Sequence, residues 1–313
     1  MGVIALGPGE KIQDVDLRPS SRPPLRPPSR TATLLSDDGV RISAAYDEAL
    51  PGAAPGLALV VAHGFTGGWR RPDNRVIAEA FAAHGAVVSF DHRGHGRSSG
   101  ETTVGDDEVL DLDAAVRWAR LLGARHVVTV GFSMGGSVVL RQGALVRSGP
   151  AAADAVVSVS AAGFWFYRGT APMRLLHQAV MTRTGRTVLR HAFGTRVRSF
   201  EWEEPYPLNP SESAALIAPT PLLVVHGDSD TYFPVEHQES LVRHAREGAA
   251  ERGALDRTEE WTVTGFAHAE SGADAALLDR IGMWARRAVG EDAAAGPSGS
   301  GEHSDDEGTR RPP

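Results

Sequence analysis

Residues 131–136 read Gly131-Phe132-Ser133-Met134-Gly135-Gly136, directly after the apolar β-branched run His126-Val127-Val128-Thr129-Val130. A helical pattern opens behind them in Ser137-Val138-Val139-Leu140-Arg141-Gln142. A serine in a tight turn from strand to helix has its hydroxyl held out into solvent, and the flanking glycines avoid clashes where the turn closes on its neighbours. On the pentapeptide alone, an exposed nucleophile and a glycine-rich turn without chemistry stand level. A serine hydroxyl also needs help near neutral pH. A histidine must take its proton, and a carboxylate must hold that histidine's tautomer and stabilise its charge. Both are available in two later stretches. The run Leu222-Leu223-Val224-Val225 is followed by His226-Gly227-Asp228-Ser229-Asp230-Thr231-Tyr232-Phe233-Pro234, and Val263 is followed by Thr264-Gly265-Phe266-Ala267-His268. The order is Ser, Asp, His, with Asp228 and Asp230 as rival acids.

These residues must be positioned by the elements around them. Thr31 to Leu35 and Val40 to Tyr46 read as a hairpin across Ser36-Asp37-Asp38-Gly39. Buried-strand runs follow at Leu57–Ala62, Ala86–Phe90, His126–Val130, Ala155–Val159, Pro221–Val225 and Thr258–Val263. Helical spacing lies between several of them: Val76, Ile77, Ala80 and Phe81 share one face of residues 74–84, and Val109, Leu112, Ala115, Val116 and Ala119 share one face of 106–122. Apolar runs alternating with helices predict an α/β fold, a mainly parallel doubly wound sheet covered on both faces. Ligands of such sheets bind at the carboxyl ends of the strands, where Ser133, the Asp228–Asp230 stretch and His268 all fall.

The rhythm breaks over residues 162–219. Eight of the chain's twenty aromatics lie between 162 and 210, among them Phe164-Trp165-Phe166-Tyr167, Trp202 and Tyr206, and Met173 to Arg190 reads as helix. This segment is expected to be a small, partly helical cap with apolar rings above the strand ends, which implies a pocket with apolar walls. The predicted organisation is therefore a disordered Pro/Arg-rich arm over 1–30, a core over 31–161 and 220–289 interrupted by the 162–219 cap, and a disordered acidic tail over 290–313.

Composition narrows the function classes. The chain has 313 residues, 42% of them hydrophobic and 23% charged, which suits one large α/β domain with an insertion. It has no cysteine, so disulfides, a thiol nucleophile and thiolate-ligated metals are excluded. The net charge is -7, of which the stretch from Glu291 to Pro313 carries -4. The remainder is only mildly acidic, against a nucleic-acid partner. No apolar stretch reaches the ~18 residues of a membrane span, and the N-terminus lacks the order of a secretory signal. A cytoplasmic location is the expectation.

Four separated blocks in order carry a family resemblance over roughly residues 31–288. They are His63-Gly64-Phe65-Thr66-Gly67-Gly68, Asp91-His92-Arg93-Gly94-His95-Gly96-Arg97-Ser98, the Gly131–Gly136 elbow, and Gly227-x-x-Asp230-x-x-x-Pro234 paired with Gly265-x-x-His268. Together they resemble the α/β-hydrolase superfamily, in its carboxylesterase and lipase-like branch. The resemblance implies Ser133 as nucleophile, His268 as base and Asp230 as acid, with Asp228 as runner-up. It implies an oxyanion hole from the backbone N–H groups of Phe65 and Met134. His63 and His226 would pack or hydrogen-bond rather than catalyse. Asp91, His92 and His95 also have the donor types of a zinc site; the glycines between them instead indicate a tight loop after a strand, with Arg93 pinning its neighbours. Members that open carbon–halogen bonds or epoxides carry aspartate at the elbow, so serine favours acyl chemistry.

The implied activity is a cofactor-independent, metal-free serine carboxylesterase that cleaves small or medium acyl esters, small-molecule substrates with an apolar portion, through an acyl-enzyme. Its loop and short cap resemble the feruloyl-esterase and monoacylglycerol-lipase-like branches. The same triad would also suit a peptidase, a thioesterase, a carbon–carbon hydrolase or an acyltransferase. A non-catalytic binding module of this fold usually lacks a triad member or an oxyanion glycine, and neither is missing here.

Overall fold

The computed structural model describes residues 26–199 and 206–294, with side chains described as far as residue 290. Most of the expected N-terminal arm, nearly all of the acidic tail and the Trp202–Pro205 stretch lie outside the described residues.

One eight-stranded sheet organises the molecule. Its strands are β1 (Arg30–Leu35), β2 (Arg41–Asp47), β3 (Leu57–Ala62), β4 (Ala86–Phe90), β5 (His126–Phe132), β6 (Ala155–Val159), β7 (Leu222–Gly227) and β8 (Thr258–Val263). They are ordered β1-β2-β4-β3-β5-β6-β7-β8. The β1–β2 and β2–β4 pairings are antiparallel, and every other pairing is parallel. The sheet is thus parallel from β4 to β8, and the expected hairpin extends one edge. β3, β5, β6 and β7 read as continuous apolar runs because both of their faces are covered.

Alternate residues of each strand feed two separate cores. Ala58, Val60 and Ala62 pack with Leu112 and Val116 of helix α2 (Glu108–Leu121), with Val138 and Val139 of α3 (Met134–Leu145), and with Leu241 and Val242 of α7 (Glu236–Glu251). Leu57, Leu59 and Val61 face Ile77 and Phe81 of α1 (Pro72–Phe81) and Leu278, Ile281 and Trp284 of α9 (Ala275–Ala294). Both faces are therefore closed, and function is displaced to the strand ends.

The segment between β6 and β7 holds α4 (Ala171–Met181), α5 (Arg183–Val188), a π-helical turn (Leu189–Phe193) and α6 (Pro210–Ala214). The single helix expected over Met173–Arg190 is broken at Thr182. Thr182 is extended (φ -103, ψ 146), and its hydroxyl accepts the Gly185 N–H at 3.0 Å, so it caps a new helix instead of continuing the old one. The remaining short helix, α8 (Ala269–Gly272), starts immediately after His268.

Candidate active site

Strands β3, β4, β5, β6, β7 and β8 run parallel, so the loops after them meet at one edge. His63 follows β3, Asp91 follows β4, Ser133 follows β5, Ser160 follows β6, Asp228 and Asp230 follow β7, and His268 follows β8. Ser133 stands at φ 50, ψ -114, a region that costs an L-residue ~1–3 kcal/mol. The turn is too tight for side chains on either side. A Cβ on Gly131 would collide with the Gly135 carbonyl, and one on Gly135 would collide with the Ala62 carbonyl at the end of β3. The serine N–H donates to the Val159 carbonyl at 2.9 Å, which fastens the strained turn to β6.

At this edge three side chains form one hydrogen-bonded chain. The Ser133 hydroxyl lies 2.9 Å from His268 Nε2, and His268 Nδ1 lies 2.7 Å from Asp230 Oδ2. A carboxylate accepts only, so Nδ1 carries the proton and donates to Asp230, leaving Nε2 to accept from serine. The other Asp230 oxygen accepts the backbone N–H groups of Tyr232 (2.8 Å) and Phe233 (3.0 Å). Burial alone would raise the Asp230 carboxyl, but the hydrogen bond and charge of His268 and the two amides outweigh it and hold it below the ordinary carboxylate range. Asp228 points elsewhere. It accepts the Gly265 N–H at 2.7 Å and the Ser229 hydroxyl at 3.0 Å, joining the turns after β7 and β8.

Three further histidines near the site, His226, His63 and His95, are committed to loop geometry. His226 lies 2.9 Å from the Phe233 carbonyl through Nε2. His63 donates from Nδ1 to the Gly64 carbonyl (2.7 Å) and accepts the His92 N–H at Nε2 (3.0 Å). His95 donates from Nδ1 to the Arg93 carbonyl (3.0 Å) and accepts the Thr66 N–H at Nε2 (3.3 Å). Burial depresses both, with help from the neighbouring His92, and His95 falls to about 3. The zinc-type donors do not form a common site: His95 is bonded as above, whereas both ring nitrogens of the buried His92 have no hydrogen-bond partner among the described residues. Asp91 takes the Trp69 and Arg97 N–H groups at 2.8 and 2.9 Å, and among the described residues no three His, Asp or Glu side chains are grouped to hold a metal. Arg93 does pin loops, with bonds to Asp111 in α2 and to Asp38 in the hairpin turn.

Two further groups at the site carry no motif. The buried Ser160 hydroxyl accepts the Ala269 N–H at 3.1 Å, steadying the peptide after His268. Glu270 Oε1 accepts the Gly64 N–H at 2.6 Å across 206 positions of sequence. The only sequence signal for Glu270 is that it stands two residues after the histidine.

A family profile described as the alpha/beta hydrolase family matches residues 59–292, most of the chain and all of the strand ends just described. The chain belongs to that family. This α/β hydrolase is 32% identical over 234 residues to the monoacylglycerol lipase of Mycolicibacterium smegmatis, covering 65% of this chain and 80% of the lipase. Its fold is similar to that of the Pyrococcus furiosus esterase Pf2001, with a TM-score of 0.62 and 22% identity over 82% of this chain and 92% of the esterase. It is also similar to Est1E of Butyrivibrio proteoclasticus, a structure with ferulic acid bound, at a TM-score of 0.51 and 20% identity, covering 84% of the hydrolase and all of Est1E. Among the described residues, no helix is long and apolar enough to cross a membrane.

The hydrolase also has an apolar cavity of about 320 Å³ under α4. Trp165, Met173, Leu176 and Val180 line it from the insertion, and Thr102 to Val104 line it from the core. The core side is rigid because the buried Glu108 carboxylate accepts the Thr102 and Thr103 hydroxyls and the Thr103 and Gly105 N–H groups.

Proposed function

We propose that this α/β hydrolase is a serine carboxylesterase whose 162–219 insertion serves as a cap over the acyl site. The carrying observation is the continuous path from the Ser133 hydroxyl through His268 to Asp230, at 2.9 and 2.7 Å, beside a strained elbow at the carboxyl edge of the sheet. Ser133 Oγ attacks the acyl carbon as its proton passes to His268 Nε2. Asp230 stabilises the resulting imidazolium. The N–H groups of Phe65 and Met134 take the oxyanion; the latter sits at the first residue of α3, where helix N–H groups have no intrahelical partner. His268 then returns the proton to the leaving alkoxide. Water, activated by the same imidazole, attacks the acyl-serine and releases the acid.

The relative named a monoacylglycerol lipase favours an ester with a hydrocarbon acyl chain and a small polar alcohol, and the apolar cavity, lined by none of Ser133, His268 and Asp230, is the space assigned to that chain. A panel of nitrophenyl esters of graded acyl length, monoacylglycerols, a matched amide and a matched thioester tests the substrate class. Esters with apolar chains should be turned over best; preference for the amide or thioester would overturn the esterase reading. Labelling by a fluorophosphonate, lost in Ser133→Ala together with hydrolysis, tests the mechanism. Near wild-type hydrolysis by Ser133→Ala would refute it.

A further inference from the structure

Gly64 is held through both of its peptide units. Its N–H donates to Glu270 Oε1 at 2.6 Å, while its carbonyl accepts from His63 Nδ1 at 2.7 Å and from the Gly67 N–H at 3.0 Å. In a trans peptide the C=O and the next N–H point in opposite directions. The carbonyl that faces His63 therefore turns the Phe65 N–H away from that buried ring; its own bonds to His63 and Gly67 hold this unit, while Glu270 holds the preceding His63–Gly64 unit and with it the start of the loop. Glu270 is also close to the elbow. A Cβ on Gly64 would lie 3.1 Å from Glu270 Oε2 and 3.2 Å from Ser133 Cβ, so carboxylate and serine crowd the same side of that glycine.

We propose that Glu270 is a positioning residue for the oxyanion loop, holding Gly64 so that the Phe65 N–H is aimed at the developing oxyanion, and supplying a second fixed negative charge beside Ser133 and His268. This rests on the serine-hydrolase reading above. The charged groups facing the carboxylate are His268 from the loop after β8 and Asp73 from α1. Burial pushes the carboxyl above its ordinary range, while the Gly64 N–H and the charge of His268 pull the other way. A buried carboxylate of this kind is costly to ionise, and the hydrogen bond from the loop amide together with the charge of His268 offsets part of that cost.

The two substitutions Glu270→Ala and Glu270→Gln separate the effects. Alanine removes the acceptor and the charge. With the oxyanion donor no longer held, kcat and the fluorophosphonate labelling rate should both fall, by about 10²-fold for a lost donor, with KM little changed. Glutamine keeps an oxygen for the Gly64 N–H and removes only the charge. It should retain most of kcat, while the acid limb of the kcat/KM profile moves to lower pH, because one anion that favours the imidazolium is gone. A purely structural carboxylate would leave that limb where it is. Wild-type enzyme that resists labelling would overturn the serine-hydrolase reading and this role with it. A labelled wild type whose two variants keep its kcat, labelling rate and acid limb would overturn the positioning role alone. If Glu270→Ala does not fold, the acid limb of Glu270→Gln decides: a shift supports the role, no shift refutes it.

Discussion

The Thr170 hydroxyl donates to the Tyr232 carbonyl at 2.8 Å, and the Tyr232 ring stacks on the His268 imidazole with centroids 4.3 Å apart and planes 25° apart. Thr170 is the residue before α4, and Tyr232 also gives its N–H to Asp230. The insertion is therefore fastened to the loop that holds Asp230 and His268 together. Thr170→Ala should loosen both together. We expect a several-fold fall in kcat/KM for long-chain esters and a smaller one for acetate esters, in steady-state kinetics with both; an equal effect on the two would show that the tie serves only the loop.

The two acids two residues apart are to be told apart by substitution. Asp230→Asn cannot hold the Nδ1–H tautomer and should lower kcat by about 10³–10⁴-fold. Asp228→Ala removes the acceptor for the Gly265 N–H and should cost about 1 kcal/mol of stability while activity stays within tenfold of wild type. Thermal denaturation and ester hydrolysis on both proteins check the assignment, which a reversed pattern would contradict.

The elbow glycines have no tolerance. Gly131→Ala places a methyl group against the backbone carbonyl of Gly135, with neither atom able to yield except by moving β5 or α3. Such a clash belongs with the exceptional substitutions that cost ~4 kcal/mol or more, visible as insoluble protein or a large drop in Tm. Full stability in this variant would mean that the turn is not as tight as described.

Acid stability should follow the neutral histidines. Burial holds His63 well below 6.5, His95 at about 3, and His237, whose Nδ1 accepts the Gly163 N–H, at about 4. A folded-state value below the unfolded one means that the unfolded chain binds the proton first. The stability these residues contribute is complete above about 6.5 and is lost as pH falls towards 3. Calorimetric Tm should decline over that window, and His95→Gln should decline less steeply than wild type, though from a lower starting value. Parallel slopes would remove His95 from the explanation.

The cavity makes a prediction about selectivity. Leu176→Trp fills the apolar space under α4, and the ratio of kcat/KM for decanoate over butanoate esters should drop by about tenfold, the scale of a lost hydrocarbon contact or two. An unchanged ratio would mean that the acyl chain lies elsewhere.

Much of this was legible in the sequence because it is written locally. Buried strands announce themselves as runs such as Leu57–Ala62, and the turn that exposes Ser133 demands Gly131 and Gly135 within a few residues of it. Order along the chain then placed serine, acid and histidine at strand ends. The helix break at Thr182 was less visible, since its only local signal is the cluster Thr182, Thr184, Gly185 and Thr187 inside an otherwise helical pattern, and one hydroxyl accepting one amide decides where the first helix stops.

What the sequence by itself determined was the sheet, the elbow and the short list of acids and bases. Between Asp228 and Asp230 it offered only motif spacing, because both stand in one turn with the same charge. Tertiary structure separated them: the Gly265 amide occupies Asp228, while the Tyr232 and Phe233 amides turn Asp230 toward His268. Glu270 belongs wholly to tertiary structure. Its partner Gly64 is 206 positions away, and a contact that exists only because β3 and β8 end at the same edge has no local pattern to betray it.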